Sequence, residues 1–237
     1  MCMKKMTEER LAAERQRLFE MQAYERQYRD EGYAYVLGVD EAGRGPLCGP
    51  VAAACCILPL NCEILYLNDS KKLTEARREA LFSEIEEKAT AYGIGLSDAA
   101  RIDEINILNA TFEAMRDAIR ACEKQLAARE GEAALHAPRL ILVDGNREIR
   151  GLMEPQKTLV KGDAHSLSIA AASVLAKVTR DRILRTYDEQ YPQYGFAKHK
   201  GYGTKQHIEA IKAYGLLPIH RKSFLKNILS ETAEKEQ

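Results

Sequence analysis

Three short apolar runs in this chain each lead to acid: 36–39 to Asp40 and Glu41, 140–143 to Asp144, and 158–160 to Asp163. Where helices cover the faces of a sheet, the strand ends are the places left for ligands and reactions. Four carboxylates gathered at one such edge would repel one another unless a cation neutralised them. Oxygen ligands of this kind select Mg²⁺ or Mn²⁺ over zinc or copper. Such a cluster supports phosphoryl chemistry with two ions roughly 4 Å apart, one activating a water and one stabilising the leaving oxygen. Taken singly, Asp144 before Gly145-Asn146 is an ordinary turn residue. Three runs all ending in acid are harder to assign to turns and helix caps.

The elements that must position these acids follow from periodicity. Residues 7–30 carry Leu11, Leu18, Phe19, Met21 and Tyr28 at helical intervals without Gly or Pro, which predicts an amphipathic helical extension ending near Gly32. Tyr35-Val36-Leu37-Gly38-Val39 and the run 51–58 predict two neighbouring strands of one sheet. Asp69-Ser70 precedes a predicted helix with Leu73, Leu81, Ile85 and Ala89 on one face. Tyr92-Gly93-Ile94-Gly95-Leu96 is a short strand, followed by a helical region through Ile102, Ile105, Leu108, Phe112, Met115 and Ile119. A polar connection at 129–138 leads to the strands that deliver Asp144 and Asp163. A long helix then runs from Ser166 to about Tyr191, where Pro192 stops it, and a shorter one covers 204–214. Strands alternating with helices make the fold class α/β.

The 237 residues, 46% hydrophobic and 30% charged, can bury a real core, in one large domain or in one domain plus a small appendage. No run of eighteen apolar residues offers a membrane span, and the start turns charged where a signal peptide needs an apolar stretch. A cytoplasmic protein is expected. Six cysteines lack Cys-x-x-Cys or His/Cys zinc spacing and read as reduced, mostly buried thiols, with Cys55 and Cys56 on opposite faces of a strand. The net charge of zero conceals an asymmetry: residues 150–229 hold fourteen basic against six acidic residues, a net +8, and the remainder carries −8. A basic C-terminal third suits a phosphate-bearing partner, and equally a solvated helical surface.

The run Asp40-Glu41-Ala42-Gly43-Arg44-Gly45-Pro46-Leu47-Cys48-Gly49-Pro50-Val51 closely resembles bacterial ribonuclease HII. Six further motifs follow in the family's order. They are Asp69-Ser70-Lys71-Lys72-Leu73, Val143-Asp144-Gly145, Lys161-Gly162-Asp163, the stretch 171–181, His199-Lys200-Gly201-Tyr202-Gly203-Thr204 and His220-Arg221-Lys222-Ser223-Phe224. The resemblance covers about 36–225. It implies a ribonuclease H-like core, a mixed central sheet flanked by helices, at 33–190. A small helical substrate-binding part at 191–237 and the N-terminal helical extension at 1–32 complete the expected organisation. It maps the catalytic and metal-binding quartet onto Asp40, Glu41, Asp144 and Asp163, with two Mg²⁺ or Mn²⁺ ions when substrate is bound. The implied substrates are RNA–DNA hybrids and DNA duplexes containing single ribonucleotides, cut on the 5′ side of the ribonucleotide to leave 3′-hydroxyl and 5′-phosphate ends, a step in ribonucleotide excision repair. A monomer is expected, with protein partners unspecified.

The resemblance also implies substrate-binding residues. Glycines at Gly43-Arg44-Gly45 let backbone and Arg44 approach a 2′-hydroxyl, although Gly-x-Gly is often a plain tight turn. Arg44, where ribonuclease HIII typically has lysine, and an extension too short for that family's extra N-terminal domain separate the two. Tyr202 matches a tyrosine that packs on the deoxyribose after the ribonucleotide; otherwise it is an ordinary loop aromatic. Ser70 and Lys71 precede a helix N-terminus, a phosphate-binding place, or are a cap and a solvated lysine. Lys177 and Arg180 share one helix face and either meet the substrate backbone or pair with Asp181 and its neighbours. His165 and His199 read as polar loop residues, with proton transfer the alternative. The different-class rival, a non-catalytic duplex-binding module, predicts a lost carboxylate, and all four are present.

Overall fold

A computed structural model describes residues 7–225; readings that rest on Cys2 and the other first residues, on Lys226 and on the charged end at 231–237 lie outside it. Five strands form one mixed sheet in the order β3-β2-β1-β4-β5. They are β1 (Tyr35–Ala42), β2 (Val51–Ile57), β3 (Ala91–Ser97), β4 (Arg139–Asp144) and β5 (Gln156–Leu159). The first three form an antiparallel meander, while β4 runs parallel to β1 and β5 parallel to β4. Helices α4 (Ala99–Glu130) and α5 (Leu167–Gln190) cover opposite faces. This is the α/β class that the periodicity predicts, in the helix-flanked mixed sheet that the resemblance implies.

Strand alternation sorts the core as expected. Leu37, Val39 and Cys55 pack against α4, whereas Ala54 and Cys56 pack with α5 and with α3 (Glu75–Lys88). Each fully buried aliphatic side chain contributes about 1.5–3 kcal/mol, so burial from both faces holds these strands more than propensity does. Gly38 in β1 marks where α5 crosses: a Cβ there would lie 2.2 Å from the Ser168 carbonyl carbon. Only the missing side chain lets the helix lie directly on the strand, two residues before Asp40.

The N-terminal extension is two helices, α1 (Glu8–Met21) and α2 (Ala23–Asp30), not one. The break falls at Gln22, whose amide turns inward to the Pro59 carbonyl (3.2 Å) and the Asn61 amide (2.9 Å). Both helices dock on the core, through Leu18 and Met21 against the α5 side and through Glu25, which is 2% exposed.

Other boundaries also differ from the sequence reading. Helix α3 starts at its cap Thr74, while Ser70–Lys72 form a separate 3-10 turn capped by Asp69. Helix α4 is interrupted at Asn106 (φ 68°), whose side-chain oxygen caps the continuation at Leu108 and Asn109. The polar connection after it contains a 3-10 turn, Glu132–His136. Strand β5 stops at Leu159, and Asp163 sits beyond it in the 3-10 turn Gly162–Ala164, ahead of α5. After Pro192, α6 (Phe196–His199), α7 (Lys205–Tyr214) and a helical turn at 222–225 share a small core with Leu47, Cys48 and Leu184. The five described cysteines are free thiols. Among the described residues, no helix is long and apolar enough to cross a membrane.

Candidate active site

The parallel register sets Val39 of β1 beside Val143 of β4, and so brings Asp40 beside Asp144. Asp40 lies within β1, on the face under α5, and accepts the Glu41 amide at 2.7 Å. The Ser173 hydroxyl of α5 also bonds it, and Ser173 Oγ meets Ser70 Oγ at 2.9 Å. Asp144 accepts the Gly162 amide at 2.7 Å, which ties the β4 end to the turn carrying Asp163. Asp163 shares a hydrogen bond with Asp69, a fifth acid that strand patterning could not find because it ends no strand. Glu41, one residue beyond Asp40, pairs with Arg44 at 3.4 Å.

Electrostatics confirm that these groups crowd one another. Burial, and then the charges of Glu41 and Asp144, push Asp40 well above the usual carboxylate range. Glu41 is raised by burial against the opposing pull of Arg44. Asp163 is raised by burial, then by Asp144 and Asp69. Burial works against the charge on Lys71, but Asp40, Asp69, Asp163 and Asp144 outweigh it and raise its pKa. Among the described residues, three potential ligand atoms within 4.8 Å of one another occur at Cys48, His207 and His220, not among the carboxylates. Among the described residues, no three of the acids bring ligand oxygens that close together. An all-oxygen donor set under mutual repulsion fits divalent Mg²⁺ or Mn²⁺; the Cys/His group is considered below.

The glycine turn is held from beneath by two arginines. Arg221 makes five hydrogen bonds of 2.7–3.1 Å to the carbonyls of Gly43, Arg44, Pro46 and Gly49. Arg180 binds the carbonyls of Cys48, Pro50 and Lys200. Gly43 has φ +94°, and a Cβ there would fall 2.0 Å from Arg180 Nε. Arg180 is therefore a buried brace beneath the turn. Lys177, on the same helix, pairs with Asp181 at 2.6 Å, as the second reading of that pair anticipated. Side-chain type alone does not separate a brace from a surface contact.

Gly43, Arg44, Gly45, Ser70, Lys71, Ser173, Lys177, Arg180 and Tyr202 line one hollow of about 250 Å³ beside Glu41. The half-exposed Tyr202 ring faces Gly45, 3.7 Å from where a Cβ would stand. A second hollow, about 200 Å³, continues past Glu41 and Asp144 to Asn146 and Arg147. The two meet at Glu41 and Arg44, which line both. Larger hollows border the N-terminal helices and include none of the four acids. His165 lines one of these, beside Arg17 and Tyr24. His199 is no solvent-facing loop residue: it is buried, bonded to the Tyr194 carbonyl and the Gly201 amide.

The sequence profile of the ribonuclease HII family matches residues 37–227. A ribonuclease HII of Ruminiclostridium cellulolyticum is 55% identical over 216 residues, 91% of this chain and 80% of that protein. One of Clostridioides difficile is 52% identical over the same shares. Among solved structures, the ribonuclease H2 of Pyrococcus horikoshii superposes with a TM-score of 0.61 at 27% identity, covering 83% of this chain and 98% of that one. A Bst ribonuclease HIII in complex with Mn²⁺, at 15% identity, TM-score 0.57 and 81% and 65% coverage, shares the fold.

Proposed function

The chain belongs to the ribonuclease HII family, and from that premise we propose that it cuts on the 5′ side of single ribonucleotides embedded in duplex DNA, in the cytoplasm. As a member it is an endoribonuclease of the ribonuclease H type, acting on RNA–DNA hybrids. In the finer reading, 33–190 is the catalytic core and 191–237 the substrate-binding part, with 1–32 as an added brace. The observation that carries it is that the glycine turn and Tyr202 face one another across a single hollow whose rim holds Glu41.

Asp40, Glu41, Asp144 and Asp163 are the residues to hold two Mg²⁺ or Mn²⁺ ions, which would supply activation of water and charge neutralisation at the scissile phosphate, leaving 3′-hydroxyl and 5′-phosphate ends. The protein's own contribution is positioning. The Gly162 amide on one oxygen of Asp144 fixes that carboxylate's direction. Arg221 and Arg180 hold the 43–50 turn rigid, so main-chain groups at Gly43-Arg44-Gly45 can meet a 2′-hydroxyl. Ser70 and Lys71 offer a hydroxyl and a cation to the backbone phosphate. Tyr202 packs on the following sugar, where a deoxyribose fits and a 2′-hydroxyl clashes.

The test compares kcat/KM on a DNA duplex carrying one ribonucleotide with that on a uniform RNA–DNA hybrid, with Mg²⁺ or Mn²⁺ present. Wild type is expected to cut 5′ of the ribonucleotide. Tyr202→Ala is expected to lower the ratio about 10-fold or more, since aromatic stacking of this kind contributes about 1–3 kcal/mol. An uncut single-ribonucleotide duplex, or a ratio indifferent to the substitution, overturns this reading.

A further inference from the structure

Beneath the Tyr202 loop lie His199, His207 and His220, 8%, 0% and 2% exposed. The main chain determines where each ring carries its proton, because a backbone amide can only donate and a carbonyl only accept. The Leu217 amide donates to His220 Nδ1 at 2.8 Å, so the His220 proton is on Nε2. That Nε2 stands 3.2 Å from His207 Nε2. His207 Nδ1 lies 2.9 Å from the Tyr202 carbonyl and must be the protonated nitrogen, leaving Nε2 bare to accept from His220. A single directed chain results: Leu217 N–H to His220, His220 to His207, His207 to the Tyr202 carbonyl. His199 accepts the Gly201 amide at Nδ1 (3.1 Å) and donates from Nε2 to the Tyr194 carbonyl (2.9 Å).

Every imidazole is satisfied as the neutral form, and a second proton on His207 would face the N–H of His220. Burial lowers the pKa of His207 to about 4 and lowers that of His220. The same chain speaks against a metal, although Cys48 offers a thiol within 4.8 Å of both rings. Ligation through His220 Nε2 needs the proton on Nδ1, where the Leu217 amide already points. Burial also pushes the Cys48 thiol up to about 12, far from the thiolate a metal requires.

What the chain ends on is the backbone of Tyr202. The Tyr202 carbonyl accepts hydrogen bonds from His207 Nδ1 and from the Thr204 amide (2.8 Å), and its own amide donates to the His199 carbonyl (3.0 Å). The His199 and His207 rings stack at 4.4 Å, with Phe196 edge-on to both. Lys200 and Gly201 turn through positive φ (51° and 82°) just before Tyr202. We propose that His207 and His220 are positioning residues, a relay of neutral imidazoles that fixes Tyr202 and so sets selectivity for a deoxyribose after the ribonucleotide. This rests on the reading of Tyr202 given above.

The experiment uses the full chain carrying His207→Phe, His207→Asn or His220→Leu, each with Tyr202 and with Tyr202→Ala, and reads the same ratio of kcat/KM. His207→Phe fills the space but cannot donate, and is expected to lower the ratio about 10-fold, the equivalent of one hydrogen bond. His207→Asn, whose amide can donate in place of Nδ1, is expected to stay within about 3-fold of wild type. In the Tyr202→Ala background neither is expected to lower the ratio further, because coupled groups are non-additive. A drop with Tyr202→Ala but not with His207→Phe overturns the relay and leaves the Tyr202 reading standing. An undiminished ratio with Tyr202→Ala removes both. Equal loss on both substrates, persisting in the alanine background, makes the histidines structural only. Should His207→Phe fail to fold, His220→Leu decides: it leaves His207 in place without its donor, and an unchanged ratio overturns the proposal.

Discussion

Single residues at the carboxylate edge gather negative charge at the expense of stability. Asp40 is buried beneath α5 beside two other acids, and its pKa is raised in the folded chain. The consequence for stability follows in sign: a raised folded pKa means folded Asp40 holds its proton more tightly than unfolded Asp40 does. Its contribution is present at acid pH and lost as pH rises through the folded pKa. At neutral pH without metal, Asp40→Asn therefore relieves repulsion and is expected to raise the melting temperature. With Asp40 holding metal as proposed above, cleavage by the same variant is expected to fall at least about 100-fold. Thermal melts and initial rates on one preparation check both. Near-normal turnover at saturating Mg²⁺ would exclude Asp40 from the metal site.

At the scale of elements, the N-terminal extension reaches the active-site turn through one side chain. Glu25 of α2 accepts the Ser166 hydroxyl (2.7 Å) and the Ser168 amide (2.9 Å) through Oε1. Ser166 caps α5, the helix that follows Asp163 and carries Ser173. Burial raises the Glu25 pKa against those hydrogen bonds, and its other oxygen is buried without a partner. The carboxylate charge is thus a burden while the acceptor is an asset. Glu25→Gln keeps the acceptor and is expected to be neutral or stabilising at pH 7. Glu25→Ala leaves two donors unpaired and is expected to cost about 1–3 kcal/mol. Urea midpoints separate the two; equal destabilisation by both substitutions would show that the charge itself holds the helices together.

For the whole molecule, the −8 and +8 portions of the chain do not simply divide into metal site and nucleic-acid surface. Part of the basic excess is engaged internally: Arg180 and Arg221 are buried, and Lys177, Arg182, Arg185, Lys200 and Lys205 lie in ion pairs. At the acidic edge, Arg44 and Lys71 are the cations that face the acids. Millimolar Mg²⁺ or Mn²⁺ is expected to stabilise the folded chain, by about 2.7 kcal/mol when the ion is at 100 times its Kd. The gain is expected to shrink as pH falls, because the raised pKa values of Asp40, Glu41 and Asp163 let protons compete with the ion. Differential scanning calorimetry with and without metal measures this, and a melting temperature indifferent to metal at pH 7 would count against a gathered site.

The sequence by itself determined the strands, the long helix after Ser166 and the acids at the ends of β1 and β4, because periodicity and chain punctuation are local. It also carried the family, because Gly43-Arg44-Gly45 and the later motifs are local strings. Tertiary structure decided what those strings do to one another. The parallel register put Asp144 beside Asp40, and the turn at 162–164, rather than a strand end, placed Asp163. A basic side chain has the same letter whether it meets phosphate or folds under a glycine turn, so Arg180 and Arg221 emerged as braces only once their carbonyl partners were in place. The three histidines beneath Tyr202 are separated by 8 and 13 residues. No spacing rule joins them, and their tautomers follow from backbone groups that only the folded chain brings within reach.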